Sequence, residues 1–194
     1  MNFLRNIYNW TLKKAEHKNA KWYLSLISFA ESSFFPIPPD ILLIPMALAS
    51  KARALFYAFI CTIFSVLGGI LGYAIGYFFY NSVGIYIVEF YHLENSFNVF
   101  ENYYKEFGIL IVLGAGITPF PYKFITIASG VFGLNIFLFI IISIIGRGLR
   151  FYLIAILLYF FGEKIKLIID KYFNILTIVF FILLVGSVFI IRFL

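Results

Sequence analysis

The chain contains 194 residues, of which 63% are hydrophobic and only 12% are charged. A typical soluble domain carries about 25% charged residues, so this composition excludes a water-soluble globule and a disordered chain. It predicts an integral membrane protein with about four to six spans, at ~20 residues for each helical span. A single cysteine excludes a disulfide framework and a cysteine-rich metal site.

The N-terminal segment, residues 1–21, is basic and amphipathic. Phe3, Ile7 and Trp10 recur at helical spacing among five lysine and arginine side chains. This pattern predicts a helix that lies in the membrane interface, with its basic face toward anionic lipid headgroups. A polar tail without stable structure is the alternative interpretation.

The next segment, residues 22–50, is apolar but is broken by Pro36, Pro38 and Pro39. Proline lacks the amide donor and clashes with the preceding helical turn, so a continuous helix is excluded. The arms on either side of the break are about 21 and 17 Å long as helices, and neither spans a bilayer alone. We expect a hairpin over 22–50.

Residues 54–80 form an uninterrupted apolar stretch that predicts a transmembrane helix. Gly68, Gly72 and Gly76 repeat at every fourth position, the small-residue pattern that allows helices to approach closely. We expect this glycine stripe to be a helix-packing face.

The second half of the chain repeats this order after an acidic loop predicted at 81–106. Residues 107–133 are apolar arms around Pro119 and Pro121, which predict a second hairpin. The remaining predicted elements are a transmembrane helix at 134–161, a basic cytoplasmic loop at 162–172 and a C-terminal transmembrane helix at 173–194.

The two broken segments form an internal repeat with an offset of 83 residues, which aligns Pro36 with Pro119 and Asp40 with Lys123. Paired interrupted segments in corresponding halves indicate a transporter-type binding site. Each segment is either a re-entrant hairpin or a crossing. The excess of basic residues places the N-terminus in the cytoplasm in both models, and arm length favours hairpins.

Five charged residues fall within apolar sequence, and each costs roughly 2.5–3.5 kcal/mol at mid-membrane on insertion scales. Arg147 and Arg150 share one helix face because they are three positions apart. One interpretation is a structural network of ion pairs. The other starts from the excess of one positive charge, which an anionic headgroup would neutralise, with an unpaired acid as a proton site. The five residues are Glu31, Asp40, Lys123, Arg147 and Arg150.

Motifs of intramembrane proteases and metal-ligating patterns are missing from the sequence. His17 and His92 lie far apart in polar stretches. We therefore expect no enzyme activity, no catalytic residues, no metal, no cofactor and no nucleic-acid partner.

Together these motifs resemble the DedA family, also called the SNARE-associated or VTT-domain family. Phe29-Ala30-Glu31 and the proline motif ending at Asp40 are similar to its first half. Thr118-Pro119-Phe120-Pro121-Tyr122-Lys123 is similar to its second half, in the form of the YqaA-like branch. The resemblance covers roughly residues 25–160. Where many members carry an arginine before the second proline motif, this chain has residues 114–117, Gly-Ala-Gly-Ile.

The resemblance implies an all-α polytopic protein of a bacterial cytoplasmic (inner) membrane. Its fold would be an inverted repeat of two re-entrant hairpins, each followed by a long transmembrane helix. It also implies movement of phospholipids or polyprenyl phosphates between leaflets, coupled to protons or ions. The functional residues would be Glu31, Asp40 and Lys123. The alternatives are an ion-coupled transporter for a small solute, a protein of proton homeostasis, and a structural membrane protein.

Overall fold

The computed structural model describes residues 19–34, 38–90, 92, 94–118, 120–162 and 164. Every regular element in these ranges is helical, as the composition predicts. The predicted interfacial helix, apart from residues 19–21, and the predicted C-terminal span lie outside the described residues. The same holds for Pro36, Pro119 and all but two residues of the predicted basic loop.

Seven α-helices follow one another in the described ranges. They are α1 (Ala20–Ser33), α2 (Asp40–Ala49), α3 (Ala54–Phe79), α4 (Ile85–Phe90), α5 (Glu94–Ile117), α6 (Tyr122–Val131) and α7 (Ile136–Gly162). A 3₁₀ turn at Lys51–Arg53 precedes α3, and a π-helical turn at Tyr80–Gly84 follows it.

Two helices are long and apolar enough to cross a membrane. One is α3 with its flanking turns, Lys51–Gly84, and the other is α7. The side chains of α7 that face away from the bundle are exposed and apolar, Ile141, Ile145, Leu149 and Leu153 among them. An exposed stripe of this kind suits lipid rather than water.

The segment predicted as an acidic loop, 81–106, is helical over most of its length. The π turn and α4 extend the first spanning helix to Phe90, and α5 starts at Glu94. The reason is an aromatic stripe, because Phe97 stacks on Tyr80 at 4.8 Å between ring centroids and packs on Phe132 at 5.2 Å. This packing stabilises the acidic segment as a helix against the end of α6.

The glycine stripe of α3 contacts a helix from each half of the chain. A methyl group on Gly68 would lie 2.0 Å from the Phe29 carbonyl oxygen of α1. The same group on Gly76 would lie 2.0 Å from the Ile127 carbonyl oxygen of α6. Backbones at this separation require glycine, so the stripe fixes the depth of α1 and α6 along α3.

The connection from α6 to α7 is a tight turn with local stabilisation. Gly133 has a positive φ of 63°, a conformation that glycine adopts without steric cost. The Asn135 side-chain oxygen then accepts hydrogen bonds from the backbone amides of Phe137 and Leu138, at 3.0 and 3.2 Å. Asn135 therefore caps the start of α7.

Two apolar clusters fill the bundle, with a polar layer between them. The first joins Leu24, Leu43 and Cys61 to Phe151 of α7. The second joins Val112, Tyr122 and Phe139. Along α3 and α7, the residues between these clusters include Ser65 and Arg147, which are both buried. The polar layer therefore lies near the middle of both long apolar helices.

Candidate functional site

A buried ion pair lies at the centre of the polar layer. Arg147 of α7 donates from Nη2 to Oε2 of Glu31 of α1 over 2.6 Å, and the two side chains are only 2% and 12% exposed. Removing one partner from such a pair leaves an uncompensated charge in a medium of low dielectric constant. The pair joins the first half of the chain to the second.

Two serines close this ion pair into a ring of hydrogen bonds. Arg147 Nε donates to Ser65 Oγ over 2.6 Å, and Ser32 Oγ donates to the Glu31 carboxylate over 3.1 Å. The two serine oxygens lie 2.6 Å apart. Because the single hydroxyl proton of Ser32 goes to Glu31, Ser65 is the donor between the serines. Each charged group thus has an ion-pair partner and a hydroxyl partner.

Two aromatic rings enclose the Arg147 guanidinium. Its central carbon lies 4.9 Å from the Tyr122 ring centroid and 4.7 Å from the Phe151 centroid. Such contacts are favourable, above all where water is excluded. Tyr122 is the first residue of α6, and its hydroxyl is hydrogen-bonded to Ser143 of α7 at 2.5 Å. The start of α6 therefore contacts α7 at Ser143 and at Arg147.

A second ion pair joins the two proline breaks. Arg150 donates from Nη2 to Asp40 Oδ2, and from Nη1 to the carbonyl oxygen of Thr118. Asp40 follows Pro39 of the first break, and Thr118 directly precedes the second. The two charged side chains are 18% and 15% exposed, more than the Glu31–Arg147 pair. Among the described residues, the buried Asp40 Oδ1 has no hydrogen-bond partner.

Lys123 lies apart from both ion pairs. Its Nζ is 5.7 Å from the ring centroid of Phe124, and no described carboxylate lies within ion-pair distance. Thr126, one helical turn further along α6, donates to the Ser32 carbonyl oxygen over 3.1 Å. Lys123 thus precedes by one turn the residue that contacts α1, while its own ammonium group lies near the exposed ring of Phe124.

The structure therefore separates the five predicted residues into two pairs and one further base. The repeat aligns Asp40 with Lys123, and these two residues carry opposite charges. The acid pairs with Arg150 instead, and Arg147 takes Glu31. In the stretch without arginine, 114–117, α5 approaches α7 closely, because a methyl group on Gly116 would be 3.1 Å from the Gly146 backbone.

Sequence reasoning missed the polar residues that complete the site. Ser32, Ser65, Tyr122 and Ser143 all take part in the network around Arg147. One signal was available for Ser65, because it lies one turn before Gly68 on the stripe where helices approach closely. Tyr122 belongs to the second proline motif, but nothing in the sequence indicated that its ring contacts Arg147.

Comparison with known proteins places the chain among close relatives. It is 38% identical over 164 residues to an uncharacterized protein of Haemophilus influenzae, covering 84% of this chain and 85% of the relative. It is 35% identical over 164 residues to an uncharacterized HI0703 homolog of Histophilus somni, with the same coverage. The chain belongs to the family of these two proteins. No family model matches the chain, and no solved structure matches it.

The names of these relatives describe no activity, and the charges of the site define what it can attract. Glu31 with Arg147 and Asp40 with Arg150 form two pairs that are each neutral as ionised groups. Lys123 adds one positive charge beside the breaks. The positive charge of Lys123 can attract one anionic group into a region whose other charges cancel.

Proposed function

We propose that the protein moves phosphate-bearing lipids, phospholipids or polyprenyl phosphates, between the leaflets of a membrane. The observation that carries this proposal is that both acids are paired with arginines near the middle of α7, whereas Lys123 of α6 has no described carboxylate within ion-pair distance. A lipid phosphate is an anion that is covalently attached to a membrane-soluble tail. It can therefore approach a basic group at this depth from the bilayer itself.

Short helices beside the two breaks support a re-entrant arrangement. At 1.5 Å per residue, α1 is about 21 Å long and α2 and α6 are each about 15 Å long, well below the ~30 Å of the hydrocarbon core. The helix before the second break, α5, is longer, at about 36 Å. Non-helical backbone at membrane depth is tolerated only where protein or a polar cavity shelters it. The hydrogen bond of Arg150 to Thr118 and its pairing with Asp40 supply such shelter to both breaks.

The basic chain start and the long apolar helices also support a proposal for the membrane in which the protein lies and for its orientation there. We propose that it lies in a bacterial cytoplasmic membrane as a multi-pass protein with its N-terminus in the cytoplasm. This orientation follows from the basic residues near the chain start and the positive-inside rule. We further propose that its family forms part of the DedA family, on the motifs that end at Asp40 and Lys123, with protons or ions as coupling species.

The test is leaflet exchange in liposomes that contain the purified protein. A phospholipid with a fluorescent headgroup is placed in both leaflets, and an impermeant quencher reports the fraction that reaches the outside. We expect faster exchange than in liposomes without protein, and loss of this difference with Glu31→Gln. Equal rates with and without the wild-type protein would overturn the proposal.

A structural lock is the second candidate, and the pairing of both acids favours it. In that case the ion pairs only hold the helices together. Glu31→Gln would then lower the folded yield and would leave the exchange rate of each folded molecule unchanged. A folded but inactive Glu31→Gln protein would exclude a purely structural role.

A further inference from the structure

The two arginines of α7 differ in how far a ligand can reach them. The Arg147 side chain is 2% exposed and lies between the rings of Tyr122 and Phe151. The Arg150 side chain is 15% exposed. It lies at the edge of the buried face of α7, because Arg147, three positions before it, is buried and Leu153, three positions after it, is exposed. Arg150 is therefore the arginine that a ligand from outside the bundle meets first.

Arg150 keeps hydrogen-bond donors for such a ligand. A guanidinium group carries five N–H donors in one plane. The described residues accept two hydrogen bonds from Arg150, one at the carbonyl oxygen of Thr118 and one at Asp40 Oδ2. Three N–H groups therefore remain. Phosphate oxygens match the planar arrangement of these donors, and arginine commonly binds a phosphate group through two parallel hydrogen bonds.

The ion pair of Arg150 with Asp40 uses only one carboxylate oxygen. Oδ2 accepts the hydrogen bond, while the buried Oδ1 has no partner among the described residues. The pair thus lacks the two-bond geometry that is strongest between arginine and a carboxylate. A phosphate group at Arg150 would share the guanidinium with Asp40, and two like charges placed side by side repel each other. Asp40 should therefore weaken the binding of phosphate at Arg150.

The surroundings of this ion pair favour a lipid as the source of the phosphate group. Ile41, which follows Asp40, is exposed, and so are Leu149 and Leu153 on α7. Exposed apolar side chains of this kind suit hydrocarbon chains. A free phosphate ion would have to lose its hydration to reach an arginine near the middle of a long apolar helix, and that loss is costly. A lipid phosphate is held beside the protein by its own tail.

We propose that Arg150 binds the phosphate group of the lipid and that Asp40 competes with this phosphate, whereas Arg147 holds α1 against α7. As the binding step of lipid movement, this assignment rests on the proposed function. It applies to phospholipids and polyprenyl phosphates alike, because both carry a phosphate group. It also separates two arginines that the sequence places on the same face of one helix.

Binding measurements on the purified full chain in micelles of an uncharged detergent test the assignment. The probes are dihexanoyl phosphatidic acid, whose short chains keep it soluble, and inorganic phosphate alone. Isothermal titration calorimetry measures the dissociation constant of each. Arg53→Gln is the matched control for the loss of one positive charge, because Arg53 is exposed and lies in the turn before α3. It should bind phosphatidic acid as the wild type does.

The variants are chosen so that both members of an ion pair lose their charge together, which leaves no unpaired acid. Asp40→Asn with Arg150→Gln should bind phosphatidic acid at least ~10-fold more weakly than the wild type, because the guanidinium is lost. Glu31→Gln with Arg147→Gln should show a clearly smaller loss. The single variant Asp40→Asn should bind at least ~10-fold more tightly than the wild type, since the competing charge is gone. A role of Asp40 and Arg150 in folding alone predicts no such gain.

The outcomes separate this assignment from the proposed function. Equal losses in the two double variants would overturn the assignment to Arg150, and so would weaker binding by folded Asp40→Asn. Inorganic phosphate that binds as tightly as phosphatidic acid would contradict a lipid source. If Asp40→Asn does not fold, the two double variants decide. Absence of leaflet exchange together with binding that depends on Arg150 would overturn the proposed function, but not the lipid-phosphate site.

Discussion

The carboxylate of Glu31 and the guanidinium of Arg147 meet at 2.6 Å although 116 positions separate them in the chain. The contact joins α1, which leads into the first proline break, to the long helix that follows the second. Asp40 and Arg150 repeat this relationship one helical turn further along α7. The two halves of the repeat are therefore held together by charges rather than by apolar contacts alone.

Loss of one partner of the inner pair should destabilise the protein strongly. Arg147→Gln leaves the Glu31 carboxylate buried without its counter-ion, and we expect a loss of about 3–5 kcal/mol in the free energy of unfolding. The double variant Glu31→Gln with Arg147→Gln should recover part of this loss, since no charge is left unpaired. Thermal unfolding in detergent measures both effects. Additive losses in the double variant would contradict the pairing.

A charge exchange should identify the partner of Asp40. Asp40→Arg places two arginines side by side and should lower the yield of folded protein. Adding Arg150→Asp restores an ion pair in reverse and should restore the yield, whereas adding Lys123→Asp should not. Size-exclusion chromatography of detergent extracts measures the yield. Rescue of Asp40→Arg by Lys123→Asp, and not by Arg150→Asp, would show instead that Asp40 pairs with Lys123, its counterpart in the repeat.

A methyl group on the glycine stripe should separate α3 from α6. The side chain of Gly76→Ala would lie 2.0 Å from the Ile127 carbonyl oxygen, too close for any real contact. We expect a loss of about 1–3 kcal/mol, as is typical of overpacked sites. Gly114→Ala in α5 is the matched control, because no atom lies within 4 Å of its added methyl group. The thermal midpoint of Gly114→Ala should equal or exceed that of the wild type, and equal midpoints for both variants would argue against the close approach.

The ring and the hydroxyl of Tyr122 should have separable effects. Tyr122→Phe removes the hydrogen bond to Ser143 and should cost about 0.5–1.5 kcal/mol. Tyr122→Leu also removes the ring beside Arg147 and should cost clearly more, because the guanidinium loses one of its two aromatic neighbours. Chemical denaturation in micelles measures the difference. Equal losses for both variants would show that the ring does not act on Arg147.

Features with a local physical cause could be predicted from the sequence. Pro38, Pro39 and Pro121 lie between helices because proline cannot donate to the helical hydrogen-bond ladder. The apolar runs of α3 and α7 are long enough to span a bilayer, and their length alone indicates this. The five buried or partly buried charges were also recognisable, since each interrupts apolar sequence.

The pairing of these charges could not be predicted, because it depends on the relative depth of helices that are distant in the chain. The repeat aligns Asp40 with Lys123, but alignment within a repeat does not imply contact. The glycine contacts of Gly68 and Gly76 fix the depth of α1 and α6 along α3, and the contact of Tyr122 of α6 with Arg147 relates α7 to them. The helical state of residues 94–106 depended in the same way on a distant partner, since its aromatic stripe packs on Phe132 of the second half.

The rate of leaflet exchange with and without the Lys123 charge tests the central claim most directly. The measurement compares wild-type protein, Lys123→Ala and Lys105→Ala in identical liposomes with a fluorescent phosphodiester lipid. Lys105 is the matched control because it is 63% exposed and pairs with Glu101 on the surface of α5. We predict the wild-type rate for Lys105→Ala and a rate at least ~10-fold lower for Lys123→Ala. A wild-type rate for folded Lys123→Ala would contradict the account.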